Sequence, residues 1–145
     1  MGADTRVRPL ILDSEALSLL ARPEPGSRRV MAAVKAAARN GRGPLVPAVV
    51  LAEQYRSRSR VAAVNSVLDR RELVVEVIDT DRSLANYVGG VLSASGADSS
   101  DIVDAHCVAV AVVHGGGTIL TSDIGDIERL AAPYHPGLPV TAAQV

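Results

Sequence analysis

Short runs of branched aliphatic residues alternate along this chain with longer segments of helical spacing. The runs are Leu10-Ile11-Leu12, Leu45-Val46, Leu73 to Ile78, Thr118 to Thr121 and a short stretch near Val140. Continuous apolar runs of this length are what strands buried on both faces require. Parallel neighbours need a long crossover, usually a helix, and the intervening segments supply one each time. The pattern therefore predicts an α/β domain with a mostly parallel sheet and helices on both faces.

The segments between the runs carry their own punctuation. Ser14 to Ala21 has helical spacing at Leu17, Leu20 and Ala21, and Pro23, Pro25 and Gly26 make a turn after it. Ser27 is placed to cap a helix to about Asn40, which Asn40-Gly41 and Gly43-Pro44 end. Further helices are expected over about 48–56, 60–68 and from Asp79 or Asp81 to Ser95, the last closed by Gly96. Ser99 or Ser100 opens another to His114, Gly115 to Gly117 turn into the next strand, and Asp123 to Ala131 is a short helix. The run Leu73 to Ile78, broken only by Glu76, is the plainest strand signal in the chain. No linker or repeat divides the 145 residues, so one domain spanning 1–145 is expected, with residues 1–6 as a loose end.

Nearly half the chain is apolar, which suffices for a core, yet Phe and Trp are absent and tyrosines number three. The core must be packed from Leu, Ile, Val and Ala. Fifteen basic and sixteen acidic residues leave a net charge of -1, so no global field draws the chain to nucleic acid or membrane. No apolar run reaches membrane-spanning length and no secretory leader is evident, which makes the cytoplasm the expected compartment. The single cysteine, Cys107, excludes a disulfide framework and a cysteine-based zinc site, and it lies in an apolar run as a small hydrophobe would.

Chemistry is concentrated in four acids set beside or inside apolar runs: Asp13, Glu53, Asp104 and Asp123. An acid in apolar surroundings costs several kcal/mol unless it is paired. Few cations lie near these positions in sequence, and Lys35 is the only lysine. A divalent ion would satisfy the charge. Asp13 follows the first strand and Asp123 the strand at Thr118 to Thr121, so both fall on the carboxyl edge of the sheet, where open α/β folds place their sites. Each is equally suited to cap the helix after it. Glu53 stands in an apolar helix that follows the second strand. From Ile102 to Val113 the helix is apolar nearly all round, as a helix packed on both sides must be, and Asp104 is the only acid of that stretch. Asp101 lies one turn earlier on the same face, and Asp126 one turn after Asp123. Both are accessory candidates.

These segments resemble the motifs of the PIN-domain ribonucleases, most of all the VapC-type toxins of type II toxin–antitoxin systems. The matching stretches are Leu-Ile-Leu-Asp13-Ser, Val-Pro-Ala-Val-Val-Leu-Ala-Glu53, Asp101-Ile-Val-Asp104-Ala and Ile-Leu-Thr121-Ser-Asp123-Ile-Gly-Asp126, in the family's order. The resemblance implies a three-layer α/β/α sandwich and a site of Asp13, Glu53, Asp104 and Asp123 holding Mg²⁺ or Mn²⁺. Thr121 matches the hydroxyl residue that precedes the last acid. It further implies an RNA substrate cut at phosphodiester bonds, a homodimer, and a cognate antitoxin that inserts a peptide into the active-site groove. Arg56, Arg58 and Arg60 are the candidate RNA contacts. The shortage of aromatics disfavours base stacking and leaves phosphates as their target.

Other classes fit less well. A PIN-like RNA-binding or scaffold module without cleavage remains the alternative. A receiver domain needs a late lysine, which is missing, and a haloacid-dehalogenase-type phosphatase wants an Asp where Glu15 stands. No glycine-rich loop follows the first strand, so a dinucleotide fold is excluded. His106, His114 and His135 form no ligand set.

Overall fold

The computed structural model describes residues 8–22 and 24–145. The expected loose end at 1–6 and Pro23 lie outside them. Five strands form one sheet: β1 (Leu10–Leu12), β2 (Leu45–Pro47), β3 (Glu76–Ile78), β4 (Gly117–Thr121) and β5 (Val140–Gln144). Their order is β3-β2-β1-β4-β5 and every pairing is parallel. The chain thus builds outward from β1 to β3, then crosses to the other side of β1 for β4 and β5. That reversal falls between β1 and β4, where Leu10 pairs with Thr118 and Leu12 with Leu120. In a parallel sheet such a reversal opens a crevice, because the connections leaving the two strands go opposite ways.

The helices are α1 (Ser14–Ala21), α2 (Ser27–Arg39), α3 (Ala48–Gln54), α4 (Arg58–Leu68), α5 (Arg82–Ser95), α6 (Ile102–Val113) and α7 (Ile124–Ala131). The first four pack against one another and the last three against one another, which gives the helical layers of the sandwich. Local chemistry explains their ends. Asp81 accepts the Leu84 N–H at 2.8 Å and opens α5, and Gly96, with φ of 68°, closes it in the left-handed conformation that glycine adopts freely. A 3-10 turn at Ser99–Asp101, held by Asp98, leads into α6. α6 touches β1, β2, β4 and β5, and Ala105 to Ala111 are all buried on it, as a helix packed on both sides requires. The core contains no aromatic ring among its fully buried side chains. Cys107 is completely buried in it.

One expected element is shorter than its sequence suggests. The run Leu73 to Ile78 yields a strand only at Glu76–Ile78. Arg71–Leu73 form a 3-10 turn that sinks Leu73 into the core, and Val74 is left-handed, with φ of 51°. β3 lies at the sheet edge beside a β2 of three residues, so the earlier residues have no ladder to join. Gly43 permits the detour: a Cβ there would fall 1.8 Å from the Val74 carbonyl oxygen.

Candidate metal centre

The reversal between β1 and β4 sets the site. Asp13 leaves the end of β1, and Asp123 lies two residues beyond β4. α3 rises directly from β2 and carries Glu53 near its end, while α6 carries Asp104 in its first turn. All four acids line one cavity of about 330 Å³, together with Ser14, Glu15, Ser100, Val103 and Ser122. Among the described residues the wall thus has five carboxylates and no basic side chain. The N-termini of α1, α6 and α7 open at the same place, and their positive ends offset part of the negative charge.

Capping and lining turn out to be compatible. Asp13 accepts the Ala16 N–H at 2.9 Å and begins α1, and Asp123 accepts the Asp126 N–H at 3.3 Å and begins α7. Thr121 ties the two together. Its completely buried hydroxyl accepts the Asp123 N–H at 2.9 Å and hydrogen-bonds to the Asp13 carboxylate. A hydroxyl that accepts with its oxygen still has its own proton to give, so one side chain serves both acids.

The charge within the cavity is under-compensated. Burial is the main cause that raises the Asp13 carboxyl above its ordinary range, against the lowering effect of the Ala16 N–H and Thr121. Asp104 is pushed up to about 6, first by burial and then by Asp13, Asp126, Asp123 and Asp101. Burial first, and then Asp13, Asp104 and Glu53, raise the Cys107 thiol well above its normal range, so it stays protonated and packs as a hydrophobe.

The accessory candidates lie on the outer side. Asp101 makes no side-chain cap to α6 but pairs with Arg129 at 3.2 Å, and Asp126 pairs with the same guanidinium at 3.3 Å. Oxygens of Asp101, Asp104 and Asp126 lie within 4.8 Å of one another. Arg129 is a cation that the motifs do not mark, and it pairs with the two accessory acids rather than with Asp13, Glu53, Asp104 or Asp123. Its spacing from Asp126, three positions on one helix, is the signal that points to it. Gln54 is a second residue the motifs do not mark. It is buried, and its amide donates to the Ser14 carbonyl at 3.1 Å and the Ser14 hydroxyl at 2.5 Å, which fastens the end of α3 to the start of α1. Arg56 and Arg58 are exposed and Arg60 is partly so, beginning three residues after Glu53. The histidines stay apart from the cavity: the Nδ1 atoms of His106 and His114 each lie 2.7 Å from the carbonyl four residues earlier.

Comparison with known proteins agrees with this geometry. The protein-family model described as PIN domain matches residues 10–133. The fold is similar to that in a structure of VapBC2 from Rickettsia felis bound to a DNA fragment from its promoter, with a TM-score of 0.60 at 20% identity over 92% of this chain and 97% of that one. It is also similar to that of DNA-bound VapBC from Salmonella typhimurium, with a TM-score of 0.57 at 17% identity over 95% and 98%. No curated protein sequence is significantly similar to the chain. With the model spanning both strand ends, α3, α6 and the start of α7, the chain belongs to the PIN-domain family.

Proposed function

We propose that this protein is a metal-dependent endoribonuclease of the VapC type, the toxin of a toxin–antitoxin pair. The observation that carries this reading is the convergence of Asp13, Glu53, Asp104 and Asp123, from four separate segments, on one cavity with no basic side chain among the described residues. The donor set fits a divalent ion. It is made of oxygens alone, which suits Mg²⁺ or Mn²⁺ better than Zn²⁺, and the raised Asp104 carboxyl marks negative charge that a cation would relieve. Such an ion, when bound, activates water and stabilises charge on phosphoryl oxygens.

The chain's own groups supply the rest. Thr121 fixes Asp13 and Asp123, and Gln54 fixes the first turn of α1 beside Glu53. The hydroxyls of Ser14 and Ser122 stand in the wall as hydrogen-bond donors for a phosphate, whereas that of Ser100 is given to Asp98. Arg56, Arg58 and Arg60 neutralise backbone charge on the approaching strand without reading its bases. The four acids would hold the ion, and one of them would accept a proton from water. The VapC type also carries with it an antitoxin partner, whose peptide covers the groove, and a homodimer. Among the described residues no helix is long and apolar enough to cross a membrane.

The test is incubation of a mixed single-stranded RNA pool with the protein and Mg²⁺ or Mn²⁺, beside EDTA and Asp104→Asn controls. Cleavage lost in both controls is expected. RNA binding without cleavage, at any metal concentration, would replace the nuclease with a PIN-like binding module.

A further inference from the structure

Arg129 is a cation at the edge of an acidic centre. Its Nη2 lies 3.2 Å from Asp101 and 3.3 Å from Asp126. Asp101 comes from the turn before α6, and Asp126 from the first turn of α7. The guanidinium therefore joins the two helices that carry Asp104 and follow Asp123. Without it, Asp101, Asp104 and Asp126 would present three oxygens close enough to share one cation. Asp104 belongs to both groups: it lines the inner cavity and completes the outer trio.

We infer that Arg129 fills the outer cation position of this centre, so that the chain takes a single divalent ion, at the inner acids. The inference rests on the metal-dependent reading above and concerns how many ions that centre holds. A guanidinium stays charged at any working pH, and of the donors on its fork Nη2 alone meets both carboxylates. An ion entering the outer trio would have to displace it and then sit a few ångströms from a full positive charge. Lysine at this position would keep the charge but not the fork. Glutamine would keep polarity and lose the charge. Arg129 is nearly half exposed, so neither substitution opens a cavity in the core.

The experiment is titration of the chelator-stripped full chain with Mn²⁺, with free ion read by electron paramagnetic resonance and folding checked by circular dichroism. The wild type and Arg129→Lys are expected to bind one ion per chain. Arg129→Gln is expected to bind two, the second more weakly, and adding Asp126→Asn to it should return the count to one. A single ion in Arg129→Gln, or two in the wild type, overturns the role given to Arg129 while leaving the nuclease reading intact. No Mn²⁺ bound by any of these folded proteins overturns the metal-dependent reading and this inference with it.

Discussion

Replacing Asp104 with Asn should make the metal-free protein more stable. The carboxyl is raised from its ordinary 3.8 to about 6 by burial and by four neighbouring acids. The folded state therefore holds the Asp104 proton more tightly than the unfolded state does. Between those two values folding takes up a proton, so stability is highest below the lower value and falls as pH rises through the upper one. At full burial a gap of that width corresponds to about 3 kcal/mol. Asp104 keeps contact with solvent, and screening reduces the figure to ~1–2 kcal/mol. Asn also forgoes a negative charge in the first turn of α6, worth ~0.5 kcal/mol. The net gain is about 1 kcal/mol at neutral pH, or a Tm higher by roughly 3–4 °C. The assay is thermal unfolding in EDTA, for wild type and variant, at about pH 8 and again near pH 4, where the gain should vanish. Mg²⁺ should raise the wild-type Tm and leave the variant nearly unmoved. A variant less stable than wild type at the higher pH, or a gain independent of pH, would show that Asp104 is not held above its ordinary range in the folded chain.

Three further substitutions test the supports of the site and the edge of the sheet. Thr121→Val keeps the shape but removes the hydroxyl between Asp13 and Asp123; urea unfolding should show a loss of about 1–3 kcal/mol, and Mn²⁺ affinity should fall with it. Gln54→Leu strands the Ser14 partners, and the same measurement should give a loss of ~1–2 kcal/mol. Val74→Gly relieves a left-handed valine that is mostly exposed, and after the flexibility added to the unfolded chain a net gain of ~0.5–1 kcal/mol is expected in urea unfolding.

The parallel sheet was legible because each apolar run is separated from the next by a helix-length segment, a spacing that hairpins would not produce. The crevice followed from it, since Asp13 and Asp123 sit just past strand ends whatever the details of pairing. Asp104 stood out because an acid in a helix buried on most sides needs a reason. What stayed hidden depends on long-range contacts. Gln54 reaches Ser14 forty positions away, and Arg129 reaches Asp101 across twenty-eight. Neither distance leaves a periodic trace. The run Leu73 to Ile78 misled for a related reason. Its β-branched residues favour a strand, but a strand needs a neighbour, and β2 is too short to give one beyond Glu76. Capping and metal holding could not be separated by motif, because the same carboxylates do the first and are placed for the second.

Anomalous scattering from a crystal of the protein grown with Mn²⁺ shows whether the inner four acids hold a divalent ion. One anomalous peak is expected among Asp13, Glu53, Asp104 and Asp123, at oxygen distances of about 2.0–2.4 Å. A well-ordered cavity with those carboxylates in place and no peak among them would contradict binding there.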